Sequence, residues 1–393
     1  MNRNLFLLAL AQGLFLTNNV TFIAINGLVG LALAPVAWMA TLPVVGYVVG
    51  GALSTGLVAR MQAHYGRKVS FQLGLVVALL SAALGAWAVL EQSFWLLLVV
   101  TVVAGYYSAN AQLYRFAAVE LCAPDYREKA VSLVLAGGLM GAVIGPNLAL
   151  RTKSLLAVDF AGAYVALVVV ALLSLLTVSL IRFSPVPPHD ASAPQGRSVG
   201  ELLRQPVFFI ALLTAALSYG VMNLLMAATP LAMQTCGLAF SETAWVLEWH
   251  VIGMFAPGFV TGSLIKRFGA LPVMGVGVLL NLTCIAVALT GQEPAQYLVA
   301  LFLLGVGWNF LFTGSTTLSM QGYLPQEKNR AQAVINFCVF ATMAVTSFAS
   351  GALVTTQGWN WLNIGSLLPV LLMGAALLGL FMRQRAASRT LAG

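Results

Sequence analysis

Charge is what this sequence has least of. Only 8% of its 393 residues are Asp, Glu, Lys or Arg, against about 25% in a soluble globular chain. So few charged groups cannot cover a water-facing surface. That shortage excludes a soluble enzyme, a disordered chain and a nucleic-acid-binding domain, so no nucleic acid is expected as a partner. Acids are the scarcer sign, 11 against 19 basic residues, which disfavours a polycationic ligand. Cysteine is sparse: Cys122, Cys236, Cys284 and Cys338 show no CxxC spacing and no clustered histidine. They read as small packing residues rather than a disulfide framework or a metal site. G-x-S-x-G, HExxH, P-loop and dinucleotide motifs are all missing, so neither catalysis nor a cofactor nor a metal is expected.

What the chain does have is apolar residues, 60% of the total, with a mean hydropathy of +0.93. A bilayer core about 30 Å thick is crossed by about 20 apolar residues of helix. Charged, Pro-rich and Gly-rich breaks divide the sequence into twelve such runs, at roughly 4–28, 36–58, 69–90, 94–120, 130–150, 156–181, 206–230, 244–265, 270–290, 295–320, 331–354 and 361–382. The short alternating segments of a membrane β-barrel are missing. The expected fold is an all-α membrane protein of twelve transmembrane helices in two pseudo-symmetric six-helix halves. They cover 1–181 and 206–393, joined by a linker at 182–205.

The basic residues set the expected orientation. With the N-terminus inside, 16 of the 19 fall on the inner side, only Arg151 and Lys153 fall outside, and Arg115 lies within a span. By the positive-inside rule both termini are cytoplasmic. The first run is long and Pro35 follows the cleavage-like Ala32-Leu33-Ala34, so it is expected to remain as an uncleaved helix. The linker carries Pro185, Pro187, Pro188 and Pro194, then Ser198-Val199-Gly200-Glu201 with capping-box spacing. A short interfacial helix and a disordered linker are both compatible with that.

Two loops repeat. Gly66-Arg67-Lys68 follows span 2, and Lys266-Arg267-Phe268-Gly269 follows span 8. Gly66 and Gly269 lie 203 positions apart, as do Arg127 and Arg330. A common offset indicates duplicated, parallel six-span halves. On these residues the chain resembles the major facilitator superfamily over its whole length. The family's loop between spans 2 and 3 reads G-x-x-x-D-x-x-G-R-K/R. Here Gly66-Arg67-Lys68 matches, while Ala59 and Ala63 replace the first glycine and the acid. The resemblance implies a gating role for Gly66, Arg67, Lys68 and Gly269, and a pairing of Arg67 with Glu120. Span 5 carries Gly137, Gly141, Gly145 and Pro146; glycines four apart permit close helix approach and the proline permits a bend. The stretch looks like the G-P motif of the family's proton antiporters, which implies a gating role for Gly141, Gly145 and Pro146.

Polar residues inside spans are costly and tend to face a bundle interior or a cavity. Gln12, Asn19 and Asn26 recur every seven residues in span 1. Ser108, Gln112 and Arg115 share a face of span 4, Tyr219, Asn223 and Met226 one of span 7, and Asn309, Thr313, Thr316 and Met320 one of span 10. By resemblance these four spans line the central cavity. Asn19, Asn26, Gln112, Arg115, Asn223 and Asn309 are the candidate substrate contacts, and helix–helix hydrogen bonding is the alternative for each. Tyr106, Tyr107, Trp308, Phe312 and the methionines suit an apolar or amphipathic ligand. Arg115 either snorkels to the surface or holds a fixed charge at the cavity floor. Glu248 and His250 are the candidates for proton exchange, and a place among the interfacial aromatics Trp245 and Trp249 is the alternative.

The expected function is export of small, partly apolar organic compounds by alternating access in exchange for protons. The work would be done by a monomer in lipid, in a membrane such as a bacterial inner membrane. Proton-coupled or facilitated uptake of an organic anion is the alternative of the same class. A non-transporting membrane sensor or scaffold on the same fold is the alternative of another.

Overall fold

The computed structural model describes residues 2–36, 39, 42–183 and 196–392; Pro185, Pro187, Pro188 and Pro194 of the expected linker lie outside them. Hydrocarbon offers no partner to backbone polar groups, so spanning segments must satisfy them internally. The first half runs through α1 (Arg3–Leu33), α2 (Leu42–Leu90), α3 (Phe94–Ala111), α4 (Tyr114–Glu120), α5 (Arg127–Ala136), α6 (Gly138–Thr152) and α7 (Ala161–Ser179). A short helix α8 (Val199–Arg204) precedes α9 (Pro206–Thr235), α10 (Phe240–Phe255), α11 (Gly258–Phe268) and α12 (Ala270–Ala288). The chain closes with α13 (Pro294–Ser319), α14 (Lys328–Thr356) and α15 (Gly358–Ala392).

Among the described residues, ten helical runs are long and apolar enough to cross a membrane. One is α2, whose 49 residues would extend about 74 Å as one rod, more than twice the hydrocarbon thickness. It breaks at Gly66 (φ 80°, ψ 175°) into the second and third spans. The eighth span is missed by length because it divides at Ala256–Pro257 into α10 and α11. Counting both gives the expected twelve.

Two further spans expected as single helices are interrupted. The fourth leaves the helix at Gln112–Leu113, between α3 and α4. Just before the break, Asn110 donates to the Tyr106 carbonyl (3.1 Å) and accepts from Ser70 Oγ (2.7 Å), a side-chain competition that loosens a helix. The fifth is interrupted at Gly137, between α5 and α6.

Two sets of glycines have definite reasons. Gly66 and Gly269 both adopt positive φ with extended ψ, 80°/175° and 87°/162°. A side chain clashes in that region, so both copies of the repeated loop need glycine there. The span-5 stripe instead lies against α1. A Cβ on Gly137 would sit 2.2 Å from the Ala9 carbonyl oxygen, on Gly141 2.4 Å from Leu16 Cβ, and on Gly145 3.0 Å from Val20 Cβ. Thr21 Oγ1 ties the contact by donating to the Gly145 carbonyl (2.9 Å).

The contacts gather into two compact units, Met1–Pro194 with Gln332–Ala341, and Gln195–Ala331 with Thr342–Gly393. Phe22, Tyr47 and Tyr164 pack together in the core of the first. In the second, Trp359 packs on Tyr297 (5.0 Å) and donates its indole N–H to the Ala288 carbonyl (3.3 Å). The capping box is formed: Ser198 N–H donates to Glu201 Oε2 (2.6 Å) and Glu201 N–H to Ser198 Oγ (3.3 Å). Those bonds hold the Glu201 carboxyl below its ordinary range. Next to it, Arg197 grips Glu327 with Nε and Nη2 (2.8 and 2.7 Å) and adds a backbone N–H bond of 2.7 Å. The pairing raises the Arg197 pKa. Glu327 is fully enclosed and Arg197 28% exposed, so the end of the linker is stapled to the turn between α13 and α14.

Gly141→Ala forces a methyl into backbone and is expected to cost about 1–3 kcal/mol, read as a lower melting temperature in detergent. Gly56→Ala meets open space and should be neutral or slightly stabilising. Glu327→Gln should cost about 3 kcal/mol, the low end for a broken buried pair because Arg197 keeps some access to water. In a double-mutant cycle with Arg197→Ala the two losses should be less than additive.

Candidate functional site

The predicted amides divide by what they touch. Asn26 is fully buried; it accepts from Tyr164 Oη of α7 (2.8 Å) and donates to the Phe22 carbonyl (2.7 Å). Asn309 is equally enclosed, accepting from Thr261 Oγ1 (2.6 Å) and donating to the Met254 carbonyl (2.7 Å). It thereby ties α13 to α10 and α11 where Pro257 interrupts the eighth span. Asn223 Nδ2 lies within reach of Thr346 Oγ1 (3.0 Å), Ser347 Oγ (2.9 Å) and the Met343 carbonyl (3.3 Å) of α14. These three serve helix–helix contacts. Asn19 is half-buried on α1, and Gln112 half-buried at the break in the fourth span.

Arg115 does not snorkel: it is 2% exposed, lies over the Phe116 ring (4.8 Å) and donates from Nη2 to Asn336 Oδ1 (3.1 Å). Four residues earlier on α14, Gln332 accepts from Arg67 Nη2 (2.8 Å). Arg67 also pairs with Glu120 (2.9 Å) and donates to Gln62. The pairing implied for Arg67 and Glu120 is therefore present, with Gln62 and Gln332 completing the guanidinium's ring of acceptors, and Lys68 half-buried next to it. Gln332, Asn336 and Phe340 recur every four residues, and Phe340 packs so closely on α2 that a Cβ on Gly51 would lie 2.7 Å from its ring. That spacing was readable in the sequence, but polar residues of span 11 were not among the expected contacts.

The second unit holds a cluster of rings. Trp308 and Phe312 of α13 stack at 4.9 Å with planes 19° apart. Tyr219 of α9 meets Trp308 and Phe312 edge-on at 5.5 and 5.2 Å, and Phe255 of α10 meets Trp308 at 5.8 Å. Trp308 and Phe312 are enclosed while Tyr219 is half-buried. Thr261 and Phe255, which complete these contacts, were not predicted because their partners lie on another helix.

Glu248 and His250 point apart. Glu248 is exposed on α10, as are Trp245 and Trp249. His250 is fully buried, and its Nδ1 lies 2.7 Å from the Leu301 carbonyl of α13. A carbonyl only accepts, so Nδ1 carries the proton; Nε2 is enclosed with no hydrogen-bond partner among the described residues. The helices close tightly around it, since a Cβ on Gly305 would lie 2.4 Å from the His250 carbonyl oxygen.

Asn309→Ala removes the bonds to the Met254 carbonyl and from the Thr261 hydroxyl, which retains the Pro257 carbonyl, and Asn26→Ala strands the Tyr164 hydroxyl. Each should destabilise by about 1–3 kcal/mol, measured by thermal unfolding. Asn19→Ala should leave the stability within about 0.5 kcal/mol of wild type and change half-saturation for a transported compound instead.

A sequence profile of the Major Facilitator Superfamily matches residues 5–247 and 211–393. The riboflavin transporter RfnT of Brucella anthropi is 35% identical over 364 residues, 92% of this chain and 91% of that protein. Among solved structures, a bacterial homologue of the iron transporter ferroportin in its outward-facing state superposes with a TM-score of 0.77 at 15% identity, over 96% of this chain and 99% of the other. The transporter FucP in its outward conformation gives 0.75 at 16% identity, over 95% and 97%. At those identities the structures show the shared fold alone. The chain belongs to the major facilitator superfamily, whose members are membrane transporters and not enzymes.

Proposed function

We propose that this protein carries riboflavin, or a compound with the same tricyclic ring and polyol chain, across the cell membrane by alternating access. The observation that carries the reading is the 35% identity to a riboflavin transporter across 92% of this chain and 91% of that one. Such breadth involves the whole transport fold rather than one loop. The chemistry of the spans agrees. Riboflavin joins a flat, largely apolar ring system to a neutral polyol, and the spans offer aromatic rings, amides and hydroxyls with few acids. A neutral substrate needs no charged anchor, and Arg115 is held by Asn336. Asn19 and Gln112, both half-buried, are the polar contacts of the first unit in this reading. Gly66, Gly269 and the Gly141–Gly145–Pro146 stripe act as gating elements.

Export in exchange for protons is the second reading, and His250 favours it. An imidazole that donates from Nδ1 and has an enclosed, unpartnered Nε2 is a site that can take a proton when access changes. Glu248, exposed beside two tryptophans, has no such position. In both readings the monomer sits in lipid with its basic loops and both termini in the cytoplasm.

The test is riboflavin flux in proteoliposomes holding the full chain. Saturable flux above that of protein-free vesicles is expected. Its absence, with the protein folded, defeats the flavin reading and favours a sensor. Under an imposed pH gradient, coupled exchange appears as accelerated counterflow that His250→Gln abolishes while equilibrative flux survives, with Glu248→Gln unchanged in both. Flux indifferent to the gradient makes the protein a facilitator.

A further inference from the structure

Among the enclosed polar atoms of α13, Trp308 Nε1, Thr313 Oγ1 and Ser315 Oγ have no hydrogen-bond partner among the described residues. The hydroxyls are informative by contrast with their neighbours. Thr316, Thr317 and Ser319 on the same helix donate back to the Phe312, Thr313 and Thr316 carbonyls at 2.9, 3.2 and 2.8 Å. Such bonds are the usual way for a hydroxyl to satisfy itself inside a membrane helix. The Trp308 indole has no equivalent, because it is a donor only and cannot reach its own backbone ladder. An enclosed donor without an acceptor is rare in a native structure, and rarer where no water is at hand.

These atoms are placed together. Trp308, Phe312 and Ser315 stand at i, i+4 and i+7, so one face of α13 presents an indole, a phenyl ring and a hydroxyl in line. The two rings are stacked, with Tyr219 across them edge-on. Trp308, Phe312 and Ser315 are 2%, 1% and 1% exposed. Tyr219, being half-buried, is the least enclosed ring of the cluster. Stacked apolar rings with two unsatisfied donors on the same helix face match a planar heteroaromatic ring whose rim carries carbonyl and ring-nitrogen acceptors. An ammonium ion or a hydrocarbon, having no acceptor, would leave both donors unmet.

We infer that this face is the ring-binding platform of the transporter. The tricyclic ring of a flavin enters at Tyr219 and lies against Trp308 and Phe312, while the indole N–H and the Ser315 hydroxyl donate to acceptors on its rim. The inference rests on the flavin reading above and assigns the part of the substrate that this unit recognises. The ring carries the recognition here, and the polyol is contacted elsewhere.

Flavin fluorescence provides the test, because an indole in direct contact quenches it. Riboflavin is titrated with the purified full chain, and binding is measured in parallel by equilibrium dialysis. Saturable quenching is expected for wild type, reversed by lumichrome, which keeps a tricyclic ring without the polyol, and not by ribitol. Trp308→Phe should lose most of the quenching and weaken binding about 3- to 10-fold, the effect of one lost hydrogen bond. Ser315→Ala should weaken binding by a similar factor of about 3 to 10 while quenching at saturation persists. Trp245→Phe, altering an exposed indole, should match wild type. A folded Trp308→Phe protein with wild-type quenching and affinity overturns the platform while leaving the flavin reading intact. Should that variant not fold, unchanged affinity in Ser315→Ala, or competition by ribitol instead of lumichrome, overturns it equally. Wild type with neither saturable binding nor flux of riboflavin defeats the underlying reading, and the platform with it.

Discussion

Hydrocarbon accepts no hydrogen bonds, and most of this architecture follows from that. A polar atom within a span must find its partner on its own helix, on a neighbouring helix or on a ligand. Backbone groups take the first route, which is why the spanning elements are helices. Asn26, Asn223 and Asn309 take the second: each joins two or more helices, and Asn309 does so where Pro257 has interrupted the ladder. The indole of Trp308 and the hydroxyl of Ser315 take neither.

Close approach is the second organising factor. Apolar side chains gain little by leaving lipid for one another, so helices associate through packing and small residues that let backbones meet. The span-5 glycines do this against α1, and Gly305 and Gly253 do it between α10 and α13 around His250. Gly66 and Gly269 are glycines for another reason, a positive φ at the turn that follows the second and the eighth spans. The same backbone at two positions 203 residues apart is the clearest geometric trace of the duplicated halves.

Most of the scarce charge is exposed, but a few charged residues form enclosed clusters. Arg67 is surrounded by Glu120, Gln62 and Gln332, and Glu327 is closed off by Arg197. Buried pairs of this kind contribute little net stability against apolar replacements but are costly to break singly. They suit contacts that fix a loop or a helix end in one arrangement. The linker end is held in this way, by Arg197 and Arg330 around Gly196.

The sequence by itself determined the class, the count of twelve spans and the duplication, and offered the capping-box spacing at Ser198, because hydropathy, charge placement and spacing are local properties. It also marked the amide stripes, since residues seven apart must share a helix face. Only the tertiary structure decided what each face meets. Asn19 and Asn26 have the same spacing logic, yet Asn26 is tied to Tyr164 while Asn19 remains half-buried. Glu248 and His250 stand two residues apart and point to different surroundings. The breaks at Gln112 and Gly137 were likewise hidden, as was the meeting of Gln332 and Asn336 with Arg67 and Arg115. Periodicity fixes an angle around a helix axis but not the neighbour at that angle. In lipid, an amide bonded to an adjacent helix and one awaiting a substrate obey the same pattern.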